Sequence, residues 1–152
     1  MPADQAPRLR DPLPDDRPGW EALWQGYLAF YGMTLSPRIT DRTWARILDP
    51  SERMSMRLAL DGAGEPAGFA IHHWHDTTWS DRPDLYLEDL YVNEAARGQG
   101  LGTALIEDLI AIGRRTGCGR MYWITRGANA TARRLYDRYA TTDGDIRYRM
   151  TL

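Results

Sequence analysis

One cysteine, Cys118, stands in a chain of 152 residues, so no disulfide can form within it. That excludes a cross-linked scaffold and suits a reducing compartment, expected here to be the cytoplasm. A nucleophilic role for Cys118 is poorly supported, since it lies between Gly117 and Gly119 with no histidine near it in sequence. Long apolar runs are also missing: nothing approaches the roughly 20 residues of a membrane-crossing helix. The opening Met1-Pro2-Ala3-Asp4-Gln5 lacks the basic-then-apolar pattern of a secretory leader. Excess positive charge is absent too. The 19 basic residues against 21 acidic ones give a net charge of −2, which offers no footprint for nucleic acid.

What remains is an ordinary globular composition, 43% hydrophobic and 26% charged. The length suffices to bury one sizeable core, and with no repeat or dividing linker the chain reads as one domain over residues 1–152. The Pro-, Asp- and Arg-rich stretch before Trp20 allows a short first strand from about Arg8 to Leu13. Trp20, Leu23, Trp24, Tyr27, Leu28 and Tyr31 recur at helical spacing and predict a helix over 19–31. A second helix is expected to begin after Thr40 or Asp41, both competent caps, and to stop before Pro50. Met54–Leu60 and Ala67–His75 read as strands joined by a Gly- and Pro-bearing turn. A strand over Leu85–Val92, a helix over Leu101–Gly113 and a short buried strand over Met121–Ile124 follow. A helix over Ala128–Tyr139 and a last strand over Ile146–Met150 finish the chain. Such interleaving implies an α/β sandwich with helices on both faces of one sheet.

The richest local signal is Arg97-Gly98-Gln99-Gly100-Leu101-Gly102, set between the Leu85–Val92 strand and the following helix. A glycine-rich turn there presents free backbone N–H groups at the positive end of the helix dipole, a ready site for phosphate or diphosphate. Gly98, Gly100 and Gly102 leave room for the backbone to approach an anion, and Arg97 can add a charged contact. No Lys-Ser or Lys-Thr follows the glycines, so a triphosphate P-loop is excluded. The alternating glycines do not match the dinucleotide fingerprint either. The fitting pattern is R-x-x-G-x-G after a strand that itself carries acidic residues. Alone, it is equally consistent with a tight strand-to-helix connection.

Taken together, Tyr86-Leu87-Glu88-Asp89-Leu90-Tyr91-Val92 and the Arg97–Gly102 turn resemble the acetyl-coenzyme A motif of the GNAT N-acetyltransferase superfamily. Asn129-Ala-Thr-Ala132-Arg-Arg-Leu135-Tyr136 is similar to the family's later helix, where an Asn and a Tyr seven residues on flank the pantetheine arm. The Leu-Glu-Asp-Leu-Tyr-Val wording is most similar to the diamine (spermidine/spermine-type) acetyltransferases and their bacterial relatives. The resemblance implies a mixed central sheet of about six to seven strands with about four helices on both faces. It implies acetyl-coenzyme A as cofactor, held by Leu90, Tyr91 and Val92 of the strand, by Arg97, Gly98, Gln99, Gly100, Leu101, Gly102 and Thr103 of the turn, and by Asn129 and Tyr136. A homodimer is expected on the same ground.

Acetyl transfer to an amine needs a base for the ammonium, a donor for the thioester oxygen and an acid for the thiolate. The resemblance implies a β-bulge that aims a backbone N–H near Leu90 at the thioester carbonyl, a contact typically worth ~3 kcal/mol of barrier. Glu88 is the candidate base, because a half-buried carboxylate can have its pKa raised toward working pH. Asp89 falls on the opposite face of a regular strand, and the two can serve one site only if a bulge re-aims one of them. The diamine enzymes place residues matching this pair along the polyamine site, so Asp89 can hold the substrate ammonium. Their alternative is a solvated edge or ion pairs with arginine. Tyr136 is the candidate acid, its alternative being a core aromatic.

His72, His73 and His75 lack a clear third metal ligand at strand spacing, so no metal is expected. Trp24, Tyr27, Tyr31, Trp74 and Trp79 are more numerous than core filling requires; most are expected in the core, the alternative being an aromatic wall, with Tyr27 in it, that binds a cation. The family's usual Gly-Phe after the Tyr-bearing helix is replaced by Tyr139-Ala140, which leaves the last hairpin undetermined. The expected activity is acetyl-coenzyme A-dependent N-acetylation of a small, polyamine-like primary amine by direct attack in a ternary complex. An amino acid, an aminoglycoside, a protein N-terminus, or a non-catalytic acyl-coenzyme A module are the alternatives. Neither nucleic acid nor membrane is an expected partner.

Overall fold

The computed structural model describes residues 6–152, so the Met1–Gln5 stretch lies outside it. Strand β1 (Arg8–Arg10) is followed by helices α1 (Arg17–Phe30) and α2 (Pro37–Leu48). Strands β2 (Met54–Leu60), β3 (Pro66–His75) and β4 (Asp84–Val92) come next, then α3 (Leu101–Arg115), β5 (Arg120–Trp123) and α4 (Ala130–Tyr136). The sheet order is β1-β2-β3-β4-β5, antiparallel through β4, with β5 parallel to β4.

Period-two alternation divides the strands between two cores. Met56, Leu58 and Leu60 of β2 and Phe69 and Ile71 of β3 meet Trp20, Leu23, Trp24 and Leu28 of α1 and Trp44 and Ile47 of α2. On the other face Ala59, Ala70, Leu85 and Leu87 meet Leu101, Leu105 and Leu109 of α3. Each large side chain so buried contributes about 1.5–3 kcal/mol. Small residues on β2 and β3 (Ala59, Ala70) let α3 lie close, whereas the tryptophans fill the wider gap under α1 and α2.

Four sequence expectations need correction. Helix α2 starts at Pro37 behind Ser36, because proline at a first helical position has the right φ and needs no N–H partner. Thr40 is therefore one turn inside, buried, with its hydroxyl accepting from Trp24 Nε1 at 3.2 Å. The expected α4 loses an end on each side and begins after Asn129, whose Oδ1 accepts from the Ala132 N–H at 3.3 Å. The sheet has five strands, below the six to seven expected, because Ile146–Met150 forms no strand among the described residues. Strand β1 likewise stops at Arg10, short of Leu13, where Asp11-Pro12 takes over.

The bulge is present. Ile71 pairs with Asp89 and His72 with Leu87, so Glu88 is the extra residue in β4.

Candidate active site

Pairing between β4 and β5 runs only from Asp84↔Arg120 to Leu87↔Trp123. Glu88 to Val92 continue past the end of β5 without a neighbour there, and a cavity of about 570 Å³ opens beside Leu90, Tyr91 and Val92. Leu90, Tyr91 and Val92 form one wall of it, and α4 the other through Asn129, Ala132, Leu135 and Tyr136. Tyr27, Phe30 and Tyr31 of α1 close one end. Arg97, Gly98 and Gly100 of the turn, with Leu101, Gly102 and Thr103 of α3, line the other. Of the cofactor residues expected from sequence, only the exposed Gln99 lies outside this lining.

The three glycines serve two different ends. Gly98 and Gly100 have φ of +78° and +79°, the left-handed region, and a Cβ at either would meet nothing within 4 Å. Backbone shape, not clearance, requires glycine there. Gly102 is helical, and a Cβ on it would come 3.2 Å from Leu135 Cδ2, so it admits the close packing of α4. No side chain caps α3 at Gly100, which leaves the first-turn N–H groups open beside the cavity. Arg97 Nε donates to the Val92 carbonyl at 3.2 Å and stays exposed at the rim. Arg138, which sequence reasoning missed, donates to Thr103 Oγ1 at 3.0 Å and brings a second guanidinium to the same helix start. Because it lies beyond the end of α4, no local spacing could have revealed that proximity. Arg126, in the loop after β5, lies 5.0 Å over the Tyr31 ring.

The bulge turns both carboxylates of β4 to the α1 face. Glu88 Oε2 lies 3.1 Å from His73 Nε2, with the Glu88 side chain 41% exposed. Asp89 is the more enclosed, and the Tyr27 hydroxyl donates to its Oδ1. Burial pushes the Asp89 carboxyl up to about 6; the Tyr27 hydrogen bond opposes this, Glu88 adds to it, and His73 opposes it. The same burial, with Asp89 beside it, drives the Tyr27 hydroxyl upward as well. Tyr136 has its ring centroid 5.4 Å from that of Trp123, and burial pushes its hydroxyl up to about 12.

Beyond Glu88 the same face continues as a shelf of rings. His73 and Tyr86 are 5.2 Å apart, Tyr86 and Tyr122 4.8 Å, and His75 Nε2 lies 2.8 Å from the Tyr122 hydroxyl. His72 points to the opposite face, where burial lowers its pKa to about 4. The described residues hold no group of three His, Cys, Asp or Glu placed for a metal ion. Of the expected aromatic wall, Tyr27 and Tyr31 reach the cavity. Trp24 is core, Trp74 stacks on Arg53, and Trp79 is exposed.

A bulge in β4 where its pairing with β5 ends, and an uncapped glycine-turned helix facing the cavity beyond, are features the acetyltransferase resemblance implies, and the sequence comparisons agree. The sequence profile of the acetyltransferase (GNAT) family matches residues 20–140. The chain belongs to that family and is an acyltransferase, whose members use acetyl-coenzyme A as co-substrate. It is 34% identical over 137 residues to the D-amino-acid N-acetyltransferase HPA3 of Saccharomyces cerevisiae, covering 90% of this chain and 85% of that protein. Thialysine N-epsilon-acetyltransferase of Bos taurus is 30% identical over 89 residues, 55% of this chain and 52% of that protein, so this match spans about half of each. A solved probable acetyltransferase superposes with a TM-score of 0.83 at 22% identity, over 95% of this chain and 97% of its own. No helix of the described chain is long and apolar enough to cross a membrane.

Proposed function

We propose that the cavity binds acetyl-coenzyme A and that the chain acetylates a primary amine carried by a small amino acid. One observation carries this reading: the uncapped start of α3, Tyr136 and Tyr27 line one cavity, and the Tyr27 hydroxyl donates to Asp89 just behind it. The residues fit such a ligand. Free N–H groups at Gly100–Gly102, with Arg97 and Arg138, suit a diphosphate, and the unpaired side of β4 past Leu87 suits the amides of a pantetheine arm. When bound, that group supplies the activated acetyl.

The chain's own residues then divide the proton work. From sequence, Glu88 was the base and Asp89 the holder of the ammonium; burial argues for the reverse. Asp89, with its pKa near 6, is ionised at neutral pH yet basic enough to take a proton from the incoming ammonium. Exposed Glu88 meets the cation first and orients it. Tyr136 keeps its proton at neutral pH and can release it to a departing thiolate. Support for the acceptor class comes from the two named relatives, whose names specify a D-amino acid and thialysine. A polyamine-like acceptor is the second reading, favoured by the paired carboxylates Glu88 and Asp89. A cytoplasmic location, supported by the single cysteine, and a homodimer complete the proposal.

Thiol release measured across amino acids and diamines, with calorimetry of coenzyme A binding, tests the whole. Turnover with at least one of these amines is expected. Coenzyme A binding without any thiol release would leave a non-catalytic acyl-carrier module in its place, and no binding at all would remove both.

A further inference from the structure

Glu88 and Asp89 put two carboxylates side by side near the Tyr27 end of the cavity. They attract an ammonium, and a diamine would need nothing more. An amino acid also carries a carboxylate, which the same pair repels, the more so as water is excluded. Such an acceptor binds there only if a cation takes its other end. The residues that close the cavity at this end, Tyr27, Phe30 and Tyr31, carry no positive charge themselves.

Arg126 brings that charge. It sits in the loop between β5 and α4, with its guanidinium carbon 5.0 Å from the centroid of the Tyr31 ring. The loop is fastened through its own backbone. The Asn129 N–H donates to the Arg126 carbonyl at 3.0 Å, and Arg133 Nη1 donates to the Gly127 carbonyl at 2.9 Å. Tyr31 is placed in turn, its ring 4.9 Å from that of Tyr27, whose hydroxyl donates to Asp89. It also lies close enough to Tyr136 to help raise that hydroxyl's pKa. A guanidinium held over a ring by cation–π attraction keeps its N–H fork available for a carboxylate. The ion pairs of the described chain engage Arg10, Arg17, Arg42, Arg57 and Arg120, and Arg126 joins none of them. Arg97 and Arg138 stand at the opposite end of the cavity, beside the start of α3.

We propose that Arg126 binds the carboxylate of an amino-acid acceptor whose amine is held by Glu88 and Asp89, and so sets a preference for amino acids over plain amines. The assignment rests on the proposed function, since it needs an amine acceptor at this end of the cavity. Charge then alternates along the bound acceptor, negative at β4 and positive at the β5–α4 loop, and a diamine would set its second ammonium against Arg126. One rival cation reaches the same face: the charge of Arg147 is felt at Tyr86, further along the shelf of rings.

Steady-state kinetics on matched acceptors test this: lysine against cadaverine, and alanine against ethylamine, each pair differing by one carboxylate. The parent is expected to favour the amino acid in at least one pair. In Arg126→Ala the ratio of kcat/KM for amino acid over amine should fall about 10–100-fold, chiefly through a raised KM for the amino acid. Arg126→Lys keeps the charge but not the fork, so its ratio should fall between the two, and it gives the reading should the Ala variant not fold. Calorimetry of coenzyme A binding and circular dichroism accompany each variant. A parent without the preference, a ratio that neither variant moves, or equal losses on both members of a pair (the mark of a mere loop brace) overturns the assignment while leaving an acetyltransferase. A ratio moved by Arg147→Ala instead of Arg126→Ala does the same. A parent that acetylates no member of any pair removes the proposed function, and this assignment with it.

Discussion

Tyr27 on α1 and Asp89 on β4, 62 residues apart in sequence, share a hydrogen bond at the end of the cavity that Tyr27 lines. The donor hydroxyl lowers the carboxyl's pKa, while burial raises it by more, and the balance sets Asp89 near 6. Replacing Tyr27 by Phe removes only the opposing contribution. The acid limb of the pH–rate profile is therefore expected to move upward from about 6, with coenzyme A affinity unchanged. A limb that stays in place or moves down would show that Asp89 is not the group being titrated.

Asp89→Asn separates catalysis from stability. Asn keeps an acceptor for Tyr27 but takes no proton, so kcat is expected to fall about 10²–10⁴-fold. Stability should move the other way. A carboxyl whose folded pKa lies above its ordinary value binds its proton more tightly when folded, so its favourable contribution is full below about pH 4 and is lost as pH rises through about 6. At pH 8 the ionised carboxylate costs on the order of 3 kcal/mol, from about 1.4 kcal/mol for each step of ten in the proton equilibrium. Denaturant melts should find the Asn variant more stable at pH 8, with the gain shrinking below pH 5. Equal stability at both pH values would contradict a buried, proton-avid Asp89.

The turn makes a contrasting pair. Gly98→Ala forces an L residue into left-handed backbone, a cost of about 1–2 kcal/mol, in an open place where the fold can absorb it by reshaping the turn. Coenzyme A affinity is expected to drop about tenfold, at about 1.4 kcal/mol per decade, with little change in melting temperature. Gly102→Ala instead presses Leu135 at 3.2 Å and should lower the melting temperature while disturbing α4. Calorimetry and melting curves on both variants decide it, since a common effect would mean that the glycines act for one reason.

Much of this was legible in the sequence because its strongest signals are local. The Leu85–Val92 alternation, the glycine turn and the Leu101, Leu105, Leu109 stripe each specify their own backbone, and all three elements fall within two residues of their expected bounds. What escaped depends on partners distant in sequence. Which of Glu88 and Asp89 is buried follows from the bulge against Ile71 and His72, and from the arrival of Tyr27. Arg138 reaches Thr103 only because Gly102 lets α4 pack on α3. The expected last strand shows the same limit differently: its alternation was readable, but Ile146–Met150 pairs with no strand among the described residues.

Tyr136→Phe is the sharpest test of the proposed acid. The ring stays against Trp123, so the cavity keeps its shape and coenzyme A binding should be retained. Only the proton donor goes, and kcat is expected to fall about 10²-fold or more. In the parent, a hydroxyl raised to about 12 stays protonated through the working range, so Tyr136 puts no alkaline limb on the rate below pH 10. The parent profile should therefore rise through the Asp89 limb near 6 and stay flat above it until the acceptor amine itself titrates. Two acceptor amines of different basicity read this directly, because any upper limb must follow the amine. An upper limb fixed at one pH for both amines and abolished by Tyr136→Phe would mean that the tyrosine loses its proton far more easily than its burial allows.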